Sequence, residues 1–186
     1  MFDLLTLGSG VSNIIGNHKR ARYASIHQSP AFPYEGTKLE IHGQFRNILT
    51  VPIQAETTWP RGYRDMFENR VLPFLKSSSS KDEIDAQNDA SFDDEWDPDL
   101  VIVCAGYDGL DSDPLASVGL QAVDYGTMTR QLIRLFHDGG KPAAIALGLE
   151  GGYQLSEFTG ANGNLADAVV ETIQALSDST TSISPN

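Results

Sequence analysis

Cysteine is all but missing from this chain. A single residue, Cys104, excludes an internal disulfide framework. It lies inside an apolar run with no basic neighbour to lower its pKa, so it reads as a small buried hydrophobe rather than a reactive thiol. Positive charge is scarce as well. Lys and Arg number 13 against 25 Asp and Glu, a net charge of -12. A broad nucleic-acid footprint needs a basic face, so direct nucleic-acid binding is not expected. No apolar stretch is long enough to span a bilayer. The N-terminus has neither the basic nor the apolar region of a signal peptide. Both absences point to an intracellular chain, nuclear or cytoplasmic, with no membrane partner.

What is present suits one globular domain: 186 residues, 40% hydrophobic and 20% charged. Short β-like runs come first: Phe2–Leu7, Arg22–His27 and Asn47–Ile53, the last held to a strand end or edge by Pro52. Gly8-Ser9-Gly10 lacks the fuller spacing of a phosphate loop and reads as an ordinary turn. Tyr63, Phe67, Val71, Leu72 and Leu75 recur at helical spacing, which predicts a helix over Arg61–Leu75 with Pro73 disturbing its last turn. Residues 76–97 are dominated by Ser, Asp, Glu and Asn and read as a solvated acidic insertion. Asp99–Ala105 is a nearly continuous apolar run, which suits a strand covered on both faces, and Ala143–Leu149 reads as the next buried strand. Between and after them, Tyr125–Phe136 and Leu165–Leu176 are helical, the second capped by Asn164. The expected fold is therefore α/β, a mostly parallel sheet flanked by helices, over residues 1–177, with a frayed tail at 178–186.

Two strand ends carry the polar groups. VIVCAGYDGLDSD (Val101–Asp113) leaves Asp108 after an apolar run, and LGLEGGYQL (Leu147–Leu155) leaves Tyr153 after another. Ligands of open α/β sheets sit outside the carboxyl ends of strands, so both would face one crevice. Asp108, crowded by Asp111 and Asp113, is either a metal ligand or one of several turn-forming aspartates. Tyr153 either covers the sheet end or donates to a developing oxyanion. Gly151 and Gly152 allow unusual backbone angles before it. Phe32 and Tyr34 sit in a Pro-rich loop, QSPAFPYEG, where they either line a pocket or pin the loop to the core.

AGYDGLDSDPLASVGL followed by LGLEGGYQL resembles the zinc-dependent histone deacetylase family, including its bacterial acetylpolyamine and acetoin-utilisation relatives. SIHQSPAFPYEGT is similar to the segment that follows the family's first metal-ligand motif. The resemblance runs from about Gly8 to Leu176 and implies the C-terminal part of an arginase/deacetylase-like domain. It implies that Asp108 is a zinc ligand and that Tyr153 is the catalytic phenol polarising the acetyl carbonyl. It also implies that Phe32 and Leu115 are walls of the acyl tunnel, and that Gly151 and Gly152 position the tyrosine. The implied cofactor is zinc. The implied substrate is an acetylated lysine of a histone or other protein, or an acetylpolyamine.

The chain departs from the pattern at its start. The family's Asp-x-His ligands would fall on Leu4 and Thr6, and Asp3 is out of register. No tandem histidine pair precedes them, and His18, His27, His42 and His137 do not replace it. The resemblance thus implies a shortened, catalytically incomplete deacetylase. The alternative is a binding or regulatory remnant of the same fold.

Overall fold

A computed structural model of the chain describes residues 2–5, 9–32, 34–76, 96–138, 142–154 and 164–181. Six strands form one sheet: β1 (Phe2–Leu5), β2 (Tyr23–Gln28), β3 (Glu40–His42), β4 (Ile48–Ile53), β5 (Leu100–Ala105) and β6 (Ala144–Leu149). Their order is β3-β4-β2-β1-β5-β6. Only the short edge strand β3 runs antiparallel, with Ile41 opposite Leu49. The other pairings are parallel.

One face of the sheet carries the main core. Ala24, Ile26, Leu49, Val51, Val101 and Val103 alternate along their strands and are buried together. Period-two alternation puts these side chains on one side. The helices that cover them contribute Tyr63, Phe67, Met128, Leu132 and Ala168 to the same cluster. On the opposite face, α1 (Ser9–Ile15) packs Val11 and Ile15 over Tyr23 and Ile48. Farther along that face Leu100 and Ile102 stay 53% and 38% exposed, and β6 pairs only with β5 among the described residues.

The helical stretch after Trp59 is divided. It runs as α2 (Tyr63–Met66), a π-helical segment (Phe67–Val71) and α3 (Leu72–Lys76). Pro73 has no N–H for the carbonyl four residues back, and the wider π turn lies immediately before its own turn. Helix α4 (Ala122–His137) begins with reciprocal bonds between Gln121 and Asp124. Helix α5 (Leu165–Thr181) begins with the same device, Asn164 and Asp167 each bonding the other's backbone N–H at 3.0 Å.

Four expectations change. Strand β6, read as buried, has no buried residue: it is the edge strand among the described residues, and Leu149 is 73% exposed. Ser9 and Gly10 begin helix α1 rather than a turn, and Gly8 lies outside the described residues. Glu40–His42 adds a strand to the five expected. Helix α5 continues to Thr181, four residues into the stretch read as a tail. Of the acidic insertion, residues 77–95 lie outside the described residues, but Trp96 does not. Its Nε1–H donates to the Leu75 carbonyl at 2.9 Å, and its ring stacks 4.3 Å from the Arg22 guanidinium. Cys104 is buried, as expected. No described helix is long and apolar enough to cross a membrane.

Candidate functional site

Strands β5 and β6 lie side by side and in parallel, so their carboxyl ends open at the same edge of the sheet. Pairing continues past both ends. The Glu150 N–H donates to the Ala105 carbonyl at 3.1 Å, and the Tyr107 N–H donates to the Gly151 carbonyl at 3.2 Å. The chain leaves β5 through a 3-10 turn, Tyr107–Gly109, which carries Asp108, 9% exposed, at the junction. Gly151 comes against it. A Cβ on Gly151 would lie 3.0 Å from Asp108 Oδ1, at a φ of +130° that side chains rarely adopt. A Cβ on Gly152, at φ +114°, would lie 2.9 Å from Tyr107 Cβ and 2.8 Å from Leu165 Cδ1. Both glycines are thus required by contact as well as by backbone angle. Tyr153 follows, 50% exposed.

Behind Asp108 stands a layer of buried phenols. The Tyr107 and Tyr125 rings are 4.9 Å apart. The Tyr107 hydroxyl donates to Thr172 Oγ1 at 3.0 Å, and the Tyr125 hydroxyl donates to the Gly106 carbonyl at 3.3 Å. Burial raises the Tyr107 pKa, and the bond to Thr172 opposes it. Burial raises Tyr125 well above its ordinary value, helped by neighbouring charges that include Asp108 and Asp113. Both phenols are held neutral, so the layer offers dipoles and no second charge.

The loop after β5 is organised by Asp113, also 9% exposed. Its Oδ1 accepts the N–H groups of Leu115 and Ala116, and its Oδ2 accepts the N–H of Tyr153 at 2.7 Å. The same loop reaches β2 and the loop after β4. The Ser117 N–H donates to Gln28 Oε1 at 2.9 Å, and the Gly119 N–H donates to the Thr57 carbonyl. Leu115 itself is 71% exposed. Phe32 and Tyr34, on the loop after β2, are 78% and 73% exposed, so neither pins that loop to the core. His27 anchors it instead: His27 Nε2 bonds the Gly36 carbonyl at 3.0 Å, while Nδ1 bonds Ser25 Oγ at 3.0 Å. A carbonyl only accepts, so Nε2 carries the proton and the serine hydroxyl donates to Nδ1. Burial lowers the His27 pKa, favouring that neutral ring.

Phe32, Leu115, Asp108 and Tyr153 therefore all follow the carboxyl ends of parallel strands. Asp113, Tyr107, Tyr125 and Thr172 support them; from the sequence Asp113 reads only as one of the aspartates crowding Asp108, and the other three carry no site reading. The adjacent Tyr in AGYD was the available signal for Tyr107.

A catalytic zinc normally takes three protein ligands and a water. Among the described residues no group of three or more His, Cys, Asp or Glu could hold a metal ion. Leu4 lies on β1 opposite Ala105 and Ile26, and Thr6 is outside the described residues. Leucine and threonine are not zinc ligands, and both His27 nitrogens are committed. Among the described residues the donor set does not fit a catalytic zinc.

The profile of the histone deacetylase domain matches residues 5–169. An uncharacterized protein of Synechocystis, slr0245, is 36% identical over 173 residues, covering 91% of this chain and 45% of that protein. Histone deacetylase 15 of Arabidopsis thaliana is 28% identical over 157 residues, covering 82% of this chain and 24% of the relative. In structure, the acetylpolyamine aminohydrolase of Burkholderia pseudomallei superposes with a TM-score of 0.67 at 15% identity, covering 94% of this chain and 43% of that one. That likeness speaks for the fold alone. The chain spans less than half the length of each of these proteins.

Proposed function

This chain belongs to the histone deacetylase family, and from that premise we propose that it carries an acyl-recognition half-site for an N-acetylated amine. The substrate class is an acetylated lysine of a histone or other protein, or an acetylpolyamine. Tyr153 donates its phenolic O–H to the acetyl carbonyl oxygen. Phe32 and Leu115 flank the aliphatic stem, and Gly151 and Gly152 let the tyrosine loop approach Asp108. Asp108 supplies the one carboxylate that would serve a metal. Zinc-dependent amide hydrolysis is the corresponding activity at family level. With two ligand positions occupied by Leu4 and Thr6, the chain by itself binds the acetylated ligand and does not turn it over.

The observation that carries this reading is the shared junction of β5 and β6. Gly151 lies against the Asp108 carboxylate, and Tyr153 stands two residues further along the same loop. A cationic acetylated ligand also suits a chain of net charge -12.

The test is a titration of the labelled full chain with three ligands: an acetyl-lysine peptide, the same peptide unmodified, and an acetylated diamine. Acetyl-dependent shifts confined to the loops after β2, β5 and β6 are expected, with no acetate released when zinc is added. Equal binding of the unmodified peptide, or no binding at all, would overturn the proposal.

A further inference from the structure

Asp113 is left without a role once the acyl site is assigned, yet it is as buried as Asp108. Its two oxygens serve different parts of the chain. Oδ1 accepts from Leu115 at 2.8 Å and Ala116 at 3.2 Å, the local pattern of an aspartate that closes its own turn. That turn needs one acceptor, which serine or asparagine also provides. Oδ2 does something a turn does not require: it accepts the N–H of Tyr153 at 2.7 Å, across 40 positions of sequence. Asparagine has one acceptor oxygen, so in either orientation its NH2 would face one of these N–H groups. The bridge between the two loops therefore calls for a carboxylate.

We propose that Asp113 is a positioning residue for the acyl site: it fixes the Tyr153 backbone and the Leu115 turn to one another, so that phenol and apolar wall keep a set spacing beside Asp108. What the phenol does rests on the function proposed above; the clamp itself does not. A bond to a charged acceptor is short and strong, and here it holds a loop whose tyrosine is half exposed and gains little from packing.

The experiment uses the full chain with labelled amides and tyrosine rings. In the unaltered protein the Tyr153 amide is expected to exchange slowly despite its exposed ring; exchange at the rate of an unstructured amide would refute the clamp without any variant. Asp113→Asn and Asp113→Ser are then compared. Ser keeps an acceptor for the local turn and cannot reach Tyr153. Both are expected to speed Tyr153 amide exchange by about tenfold or more, the effect of losing one charged hydrogen bond, and to shift the Tyr153 ring signal. The Ile26 and Val51 amides in the sheet are expected to stay unchanged. A uniform rise that includes Ile26 and Val51 would mean a general stability effect and would overturn the positioning role.

Acetyl-lysine peptide affinity should fall by about tenfold in the same variants. Unchanged affinity beside a measurable wild-type affinity also overturns the proposal. If the wild type binds no acetylated ligand, the acyl-site reading fails, while the Tyr153 exchange data still decide the clamp.

Discussion

Gly151 and Asp108 meet so closely that no side chain fits between them: an added Cβ would stand 3.0 Å from Oδ1 and 3.2 Å from Cγ of the carboxylate. The backbone of one strand's loop is thus the wall of the other strand's acid. Gly151→Ala combines that contact with a forbidden φ, and a loss of about 1–3 kcal/mol in unfolding free energy is expected. Gly10 offers the contrast. It lies in helix α1 with nothing within 4 Å of its Cβ position, so Gly10→Ala should stabilise by about 0.5–1 kcal/mol. Urea denaturation of both variants checks the pair; similar signs would contradict the account.

The metal prediction follows from ligand number. Purified chain is expected to retain zinc far below one equivalent, by elemental analysis after dialysis. On the function proposed above, the double substitution Leu4→Asp with Thr6→His supplies the two missing donors. With Asp108 it would complete a three-ligand set. Zinc affinity, measured by competition with a chromogenic chelator, should rise by at least about two orders of magnitude, the upper end of what a supporting ligand alone contributes. No gain would mean that positions 4, 6 and 108 do not converge on one ion.

Much of this was legible because apolar runs announce parallel strands, although the burial expected of both did not follow: β6 has no buried residue and β5 leaves Leu100 and Ile102 exposed. After Asp99 the run to Ala105 is apolar without interruption, as is Ala143–Leu149, and they became β5 and β6. Strand β3 was not legible: three residues, Glu-Ile-His, on an exposed edge leave no period to read. Helix α1 was hidden by its glycine, which suggests a turn in isolation and is tolerated in a short helix packed on Tyr23 and Ile48. At the site, Asp108 and Tyr153 stood out as polar residues ending apolar runs. Asp113 did not, because an aspartate in GLDSDP looks like any turn former and its decisive partner is 40 residues away.

Arg22 makes a separate prediction about what joins the helix before the acidic stretch to the strand after it. The side chain is 4% exposed, lies over the Trp96 and Phe74 rings, and donates from Nη1 to the Phe74 carbonyl at 3.0 Å. Burial lowers its pKa to about 10, so it remains charged at neutral pH. Arg22→Ala removes the packing and the donor together and should cost about 2–4 kcal/mol. Arg22→Lys keeps the charge but loses the planar stacking, and should recover only part of that. Equilibrium unfolding followed by tryptophan fluorescence reports both, and full recovery by lysine would show that charge alone matters there.

His27 gives the pH dependence. Its folded pKa is lowered from 6.5, by burial first, with the hydrogen bond to the Gly36 carbonyl opposing. The unfolded chain therefore binds the proton more readily than the folded one. The histidine's contribution to stability is intact above pH 6.5 and is lost as the pH falls from 6.5 toward the lower folded value, below which it is level. Protonation would also convert Nδ1 from acceptor to donor and turn the Ser25 hydroxyl proton away, while the Nε2–H bond to the Gly36 carbonyl is kept. The buried carboxyl of Asp124 is raised, chiefly by burial, and acts with the opposite sign in the acid range above its ordinary value of 3.8. Subtracting the profile of His27→Gln, which keeps a donor for Gly36, isolates the histidine. The difference between wild type and variant should shrink steadily as pH falls below 6.5; a difference independent of pH would mean that the ring titrates alike in both states.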